Sequence, residues 1–371
     1  MGKCQVCGKE AVTISSSLGV CLDCIRDRTE KALEVTRQVH ARSRAVFGLP
    51  AEPPRDASGL VCGVCVNECV IGVGKSGFCG LIRNVGGRLK RFGGTVEKGV
   101  LEWYYDGLPT NCVGWWFCPG CTGAGYPKYA VKPEAEYGFY NLAVFYGACS
   151  FDCLFCQNWH FRNLSVKLKP VVSAEALANK AFEKDISCIC FFGGDPSPQM
   201  PHSLETSRSA LERAEAEKRI LRVCWETNGY MNPKLAEKAA RYALESGGNI
   251  KFDLKAWSEE LNIALCGVSN KPSLDNFKMI GEKYYEKRKE LPVLSASTLL
   301  VPGYVEVEEV EGIAKFISEI DGNIPYTLLA FYPCYVMNDL PNTNRKQALE
   351  CQKTAQKHLK NTKIGNINLF S

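Results

Sequence analysis

The chain has 371 residues, 46% of them apolar and 23% charged, with a formal net charge of +5. That length holds one large domain of roughly 200–250 residues plus smaller modules, and a mild, dispersed positive charge does not by itself call for a nucleic-acid partner. No apolar run approaches the ~20 residues of a membrane span, and Met1-Gly-Lys-Cys-Gln-Val-Cys7 has no signal-peptide core, so a cytoplasmic protein with no membrane partner is expected.

Twenty cysteines are the outlier. They cluster as close pairs, which is metal-ligand spacing rather than a disulfide framework. The reading is a reducing, anaerobic cytosol and several metal sites. Residues 1–30 carry Cys4-x2-Cys7 and Cys21-x2-Cys24, two knuckles that predict a small Cys4 module of the zinc-ribbon or rubredoxin type, holding zinc or mononuclear iron. So short a segment cannot build a core, so the metal would fold it. Residues 31–58 read as a polar helix and a linker, Leu49-Pro-Ala-Glu-Pro-Pro-Arg-Asp-Ala-Ser58.

A Cys-rich domain is expected over 59–138. Its Gly-rich first part contains Cys62, Cys65, Cys69 and Cys79, placed around a second metal. Cys112, Cys118 and Cys121 follow, and either complete a site with a ligand from elsewhere or pack. The spacing leaves open whether these two arrays form one site or two. Cys188, Cys190, Cys224, Cys266, Cys334 and Cys351 stand alone and read as buried core thiols.

From residue 139 to 371 the pattern changes to strand-length apolar runs alternating with helical segments. Strands are predicted at 141–147, 186–192, 220–226, 249–254, 293–300 and 324–331. Helices are predicted at 174–184, 203–218, 233–246, 272–288, 306–319 and 344–358. Six β-α units in succession imply an α/β fold, a partial (β/α)6 barrel with a parallel sheet inside. Chemistry in such barrels sits at the C-terminal strand ends. There the sequence places Cys149-x3-Cys153-x2-Cys156, Gly193-Gly-Asp-Pro196, Glu226-Thr-Asn-Gly229, Asp253-Leu-Lys255 and Val301-Pro-Gly-Tyr304. Three thiolates as close as Cys149, Cys153 and Cys156 can hold three irons of a 4Fe–4S cube and leave the fourth open.

That triad, with an aromatic just before its last cysteine, resembles the radical SAM superfamily. The nearer likeness is to the branch of pyruvate formate-lyase activating enzymes. It rests on Cys62-Gly-Val-Cys-Val-Asn-Glu-Cys69 with Gly77-Phe-Cys-Gly80, on Cys156-Gln-Asn-Trp159, and on Phe331-Tyr-Pro333 with Asp339-Leu-Pro341. The resemblance implies that Cys149, Cys153 and Cys156 ligate the cluster and that Phe155 packs near the adenine of S-adenosylmethionine. It implies that Gly193 and Gly194 present backbone to the methionine amino group, with Asp195 where the family usually has Glu. Glu226 and Asn228 then suit the ribose hydroxyls, Lys255 beside Asp253 suits the methionine carboxylate, and Val301 and Pro302 line the adenine. An electron from a low-potential ferredoxin or flavodoxin would cleave the sulfonium to a 5′-deoxyadenosyl radical, which takes a hydrogen from an unactivated carbon.

Within the branch, the cysteine arrays and compact size are similar to the archaeal cobalamin-dependent glutamine C-methyltransferases of methyl-coenzyme M reductase, enzymes of methanogenesis. That likeness implies post-translational Cα-methylation of a protein substrate with base-off cobalamin. Only His40, His160, His202 and His358 are available as ligands, and Trp115-Trp116 and Tyr104-Tyr105 either line a corrinoid site or join the core. The alternative is an activase-like enzyme that installs a glycyl radical on, or oxidises, a protein partner. A metal-stabilised nucleic-acid binder is a third reading, but no dense Lys/Arg patch with interleaved aromatics supports it.

Overall fold

A computed structural model describes residues 1–110 and 112–370. At the N-terminus β1 (Gly2–Lys3) and β2 (Glu10–Ala11) pair antiparallel and lead into α1 (Leu22–Asp27) and α2 (Thr29–Ala45). The chain leaves α2 at Gly48, whose φ of 62° is the left-handed conformation that ends helices. Two short hairpins follow: β3 (Leu60–Val61) with β4 (Val70–Ile71), and β5 (Ile82–Val85) with β6 (Arg88–Arg91). The second turns on Gly86-Gly87, both at positive φ, as a two-residue hairpin of this hand requires.

β7 (Gly99–Gly107) starts the large sheet and is followed by the one-turn α3 (Pro119–Thr122). Then come β8 (Tyr140–Tyr146), α4 (Phe161–Lys167), β9 (Val171–Val172), α5 (Ala174–Lys180), β10 (Ile186–Gly193), α6 (Met200–Ala216), β11 (Arg222–Thr227) and α7 (Pro233–Ser246). The series ends with β12 (Ile250–Asp253), α8 (Glu259–Cys266), α9 (Lys271–Tyr284), β13 (Leu294–Leu300), α10 (Val307–Ile320), β14 (Tyr326–Ala330), α11 (Arg345–Ala355) and β15 (Thr362–Gly365). The sheet order is β15-β14-β13-β12-β11-β10-β8-β7-β9. From β15 to β8 in that order every pair is parallel, while β7 runs antiparallel to β8 and to the two-residue β9 at that edge.

All six expected strands are present, and the architecture is the expected open α/β barrel. The sheet is longer at both edges. β15, Thr-Lys-Ile-Gly, has a single large apolar residue, so its sequence carries no strand signal. β7 lies within the stretch 59–138 expected as a Cys-rich domain. The expected helix 272–288 ends at Tyr284 and continues as a 3-10 turn to Arg288. α8 was not anticipated.

The core lies between the outer face of the sheet and the helices. Ile189, Phe191, Val223, Trp225, Phe252, Ile313 and Ile317 are all fully buried there. Among the described residues no helix is long and apolar enough to cross a membrane.

The segment between β7 and β8 does not stay outside the barrel. It folds under its N-terminal end as a plug. Thr327 Oγ1 of β14 donates to Val113 O (3.2 Å), and Trp116 Nε1 donates to that hydroxyl (3.3 Å). Glu136 is fully buried and takes two bonds from Arg222 at the start of β11, at 2.8 and 2.7 Å. Burial alone would raise the Glu136 carboxyl; the Arg222 guanidinium outweighs it and holds it below the usual range.

Candidate active site

β8 ends at Tyr146, and the loop that follows carries Cys149, Cys153 and Cys156. Two helices brace this loop. At the end of α8, Cys266 O and Leu265 O accept from Asp152 N and Leu154 N (2.8 and 2.9 Å). From α2, His40 Nδ1 meets the fully buried Asp152 carboxylate at 2.9 Å, and Arg162 of α4 donates to its other oxygen at 2.7 Å. Burial opposes charge on Asp152, but His40, Arg162 and Arg44 together keep it ionised well below the usual carboxylate range. α2, in the segment expected as a polar helix and linker, is therefore a brace behind the triad.

The opposite wall comes from β10 and β11. Gly193 has φ +113°, and a Cβ there would stand 2.4 Å from Tyr146 N. A Cβ on Gly194 would stand 2.2 Å from Ala148 O. Only glycine fits at either place, so bare backbone faces the cavity. Asp195 is spent on structure: its carboxylate accepts from Ser197 N (2.7 Å), Thr227 Oγ1 (2.8 Å) and Asn228 N (2.8 Å), lashing the β10 loop to the β11 loop. Burial pushes its carboxyl up against the pull of those bonds.

Cys149, Cys153, Cys156, Phe155, Gly193, Gly194, Asp195, Glu226, Asn228, Asp253 and Lys255 all line one cavity at the C-terminal strand ends. Its charged floor is a chain of pairs. Lys251 Nζ lies 2.8 Å from Glu226 and 3.8 Å from Asp253, and Lys255 Nζ lies 3.2 Å from Asp253. Burial would neutralise Lys255, but Asp253 and the neighbouring thiols outweigh it and hold the ammonium charged. Burial likewise opposes the Asp253 carboxylate, and Lys251 and Lys255 draw it down to about 2.

Two expectations need correction. Val301 and Pro302 do not line the cavity. The chain turns as β13 ends, Tyr304 N and Val305 N bond back to Val301 O (3.1 and 2.8 Å), and both residues are buried beneath the N-terminal module. Leu299 and Leu329 take that wall. Asn228 reaches the cavity, but its amide is committed. Nδ2 donates to Ser150 Oγ at 3.1 Å and to Cys149 Sγ at 3.6 Å, so it orients the triad rather than waiting for a ribose.

Several site residues escaped the sequence reading. Lys251 precedes Asp253 by two on one strand, and that period was available. Gln157, Asn158, Phe161, Phe192 and Thr227 line the cavity without a distinctive pattern. Cys266 stands 3.5 Å from Cys153, sulfur to sulfur, rather than in a remote core.

The other arrays differ in geometry. The sulfurs of Cys4, Cys7, Cys21 and Cys24 all lie within 4.8 Å of one another. That suits one tetrahedral ion, whose thiolates sit roughly 3.8 Å apart for ~2.3 Å metal–sulfur bonds. The module docks beside the barrel mouth, where the Asp339 carboxylate accepts from Ser15 Oγ (2.8 Å) and Ser16 N (2.6 Å). Cys62, Cys65 and Cys69 are buried and Cys79 is half-buried. Burial pushes the Cys65 thiol up, and Cys79, Cys69 and Cys62 facing it add to the rise. This array abuts the cluster loop, where Asn67 Nδ2 donates to Ser150 O at 2.8 Å.

Residues 143–317 match the radical SAM superfamily. A protein of Methanocaldococcus jannaschii, provisionally named a glycyl-radical enzyme activating enzyme, is 29% identical over 217 residues, covering 57% of this chain and 76% of that one. An uncharacterised protein of the same organism is 23% identical over 329 residues, covering 84% and 83%. Among solved structures, the Streptococcus suis protein SuiB bound to its precursor peptide SuiA aligns with a TM-score of 0.44 at 14% identity, over 60% of this chain and 47% of that one.

Residues 143–317 of the barrel are thus a radical SAM domain, and the proteins similar to this chain include one provisionally named an activating enzyme. The superfamily implies a 4Fe–4S cluster and S-adenosylmethionine, and the residues fit both. Three thiols share one wall, Phe151 N and Asn228 Nδ2 donate to Cys149 sulfur (3.3 and 3.6 Å), and the Gly193-Gly194 cradle is one a Cβ would fill.

Proposed function

We propose that this enzyme abstracts a hydrogen atom from a carbon of a protein or peptide partner, in the manner of an activating enzyme. The supporting observation is the convergence, in one cavity at the strand ends, of the cysteine triad, the bare Gly193-Gly194 backbone and the charges of Glu226, Asp253 and Lys255, the first two also paired with Lys251. The kinship with a provisionally named activating enzyme points the same way. When bound, the cluster on Cys149, Cys153 and Cys156 supplies the electron that cleaves S-adenosylmethionine to a 5′-deoxyadenosyl radical.

The chain's own residues do the positioning. Gly193 and Gly194 offer backbone carbonyls to the methionine amino group. Lys255, kept charged, pairs with the methionine carboxylate. Glu226 accepts from ribose hydroxyls while Lys251 fixes its orientation, and Phe155 with Leu299 and Leu329 flanks the adenine. Holding the radical carbon against the acceptor C–H supplies much of the rate. Electrons arrive from a low-potential ferredoxin or flavodoxin in the cytoplasm. The Cys4 module (1–30) holds zinc or iron, the helix of the helix-and-linker segment (31–58) braces the cluster loop, and Cys62, Cys65, Cys69 and Cys79 of the Cys-rich segment (59–138) hold a second metal centre beside the barrel (139–371).

Cobalamin-dependent Cα-methylation, as on a glutamine of methyl-coenzyme M reductase, is the rival use of the same radical. His40 is bonded to Asp152, His202 lies 2.8 Å from Tyr146 Oη, His358 faces Glu311, and His160 stacks flat on Phe145. A corrinoid here would therefore be His-off. The test is anaerobic purification with hydroxocobalamin, then cobalt analysis after gel filtration and assay for 5′-deoxyadenosine with S-adenosylmethionine and dithionite. Iron and sulfide without cobalt, together with cleavage, is expected. Stoichiometric cobalt with a base-off spectrum would transfer the assignment to methylation.

A further inference from the structure

Strand alternation sends every second residue of β7, β8, β10 and β11 into the barrel, and the register of these strands sets the inward residues in rows. One row is Asp106, Asn141, Cys188 and Arg222. The next row toward the S-adenosylmethionine cavity is Tyr104, Ala143, Cys190 and Cys224. Two residues beyond Cys190 and Cys224 stand Phe192 and Glu226, which line the S-adenosylmethionine cavity itself.

The middle row explains why there is a void. Ala143, Cys190 and Cys224 are too small to fill the barrel at their level, and both rows, together with the plug, enclose a half-open cavity of about 330 Å³. That is the size of a ligand pocket, roughly 300–1,000 Å³. It shares Phe192 and Glu226 with the S-adenosylmethionine cavity, so the two are neighbours at that level.

The charges around this second cavity are matched, with one exception. Glu226 lies 2.8 Å from Lys251, and Arg222 lies 2.7 Å from Glu136. Asp106 accepts a hydrogen bond from Thr110 Oγ1, and among the described residues no cation pairs with it. Its register partner Asn141 is only 6% exposed, and its Oδ1 has no hydrogen-bond partner. A buried acceptor left open in this way calls for a donor from outside the fold. A carboxylate and an amide oxygen side by side suit a group that is positively charged and carries several N–H donors.

The depth of the cavity limits the occupant further. The row of Asp106 and Asn141 lies four residues from the level of Phe192 and Glu226, roughly 13 Å along the strands. A group that binds at the far row and still presents a carbon where the two cavities meet must be long and mostly apolar. Tyr104 and Phe192, with ring centroids 6.3 Å apart, line the way, and aromatic walls suit both a methylene stem and a cation.

We propose that this cavity takes the side chain of a basic residue, lysine or arginine, of the peptide partner, with its cation on Asp106 and Asn141 Oδ1 and its stem running toward Phe192 and Glu226. On the hydrogen-abstraction reading, on which this rests, the carbon attacked lies on that stem. Asp106 repels an acidic side chain, and a short polar one does not span the cavity.

The test uses the full chain, reconstituted anaerobically with iron and sulfide and saturated with S-adenosylmethionine. It is titrated calorimetrically with capped peptides Gly-Gly-X-Gly-Gly in which X is lysine, arginine, norleucine or glutamate. A preference of about tenfold for lysine or arginine over norleucine is expected, the size of one charge-assisted hydrogen bond, and the tighter of the two basic peptides identifies the cation. Asp106→Asn should bring that preference close to unity. Asp106→Lys should turn it toward the glutamate peptide, a reversal that damaged folding cannot produce. Equal affinity for the four peptides, no binding by any of them, or an undiminished preference in Asp106→Asn would overturn the pocket. Basic peptides deuterated along the side chain separate this from the reading beneath it. Deuterium in the 5′-deoxyadenosine is expected, whereas a basic preference without transfer would overturn hydrogen abstraction and leave the pocket standing.

Discussion

The two faces of the barrel sheet are built from the same strands and have opposite chemistry. Outward, Phe191, Trp225 and Phe252 are fully buried against helices. Inward, their immediate neighbours are Cys190 and Phe192, Glu226, and Lys251 and Asp253, which line cavities or pair as charges. A shift of one residue in register would exchange them, so the apolar face that holds the fold together also places every reactive group. The inner face tolerates buried charge because each charge in the Glu226–Lys251–Asp253–Lys255 chain has a partner. If this division of labour is right, inner-face changes should abolish chemistry in a folded protein, and outer-face changes should unfold a protein whose site chemistry is intact.

The largest effect falls on the cluster loop. Cys153→Ala should abolish 5′-deoxyadenosine formation while far-UV dichroism and the metal on Cys4, Cys7, Cys21 and Cys24 persist, because that module shares no ligand with the triad. Cleavage at the wild-type rate in this variant would remove the cluster assignment. Gly194→Ala comes next. Its Cβ would stand 2.2 Å from Ala148 O, so the β10 loop must shift. A displacement near 1 Å in a positioning element costs about 10²-fold in rate. A kcat/KM for S-adenosylmethionine cleavage within twofold of wild type would show that the cradle does not position the cosubstrate.

The third prediction compares neighbours. Trp225→Ala empties a fully buried site in the outer core and should destabilise the fold by about 3–5 kcal/mol. Glu226→Gln, one residue on, should alter stability far less and show its effect as a raised KM for S-adenosylmethionine. Urea melts of both variants check this. Equal destabilisation by the two would end the separation of the faces.

Much of this division could be read from the sequence, and the limits are physical. Six strands announce themselves by apolar runs, and the triad by its spacing. β15 escaped because four residues with one large apolar side chain carry no period. The family resemblance set Val301 and Pro302 against the adenine, but the turn that buries them is set by Tyr304 and Val305 bonding back to Val301. Asn228 has the right chemistry for a ribose, and only its neighbours, Ser150 and Cys149, show that its amide is taken. Cys188 and Cys224 looked solitary because they sit 36 residues apart on different strands, and only the pairing of β10 with β11 brings their sulfurs to 3.9 Å, although the i, i+2 spacing of Cys188 with Cys190, and of Cys224 with Glu226, already put each on the inner face.

The smallest effect expected is on acid stability, and it comes from the inner face. Asp253 titrates at about 2 in the folded protein, since Lys251 and Lys255 outweigh the burial that would raise it. The unfolded carboxyl titrates near ~3.9. A depressed folded value means that the stabilisation is fully present above the unfolded value and is lost as pH falls from about 4 toward 2. Comparison with Asp253→Asn isolates this contribution from the other carboxylates. At neutral pH the variant should melt below wild type, because Lys251 and Lys255 keep their charge and lose their shared partner. As pH falls through that window the two melting temperatures should converge. A gap that stays constant down to pH 2 would mean that Asp253 contributes shape rather than charge, and the inner-face charge chain would lose its electrostatic role.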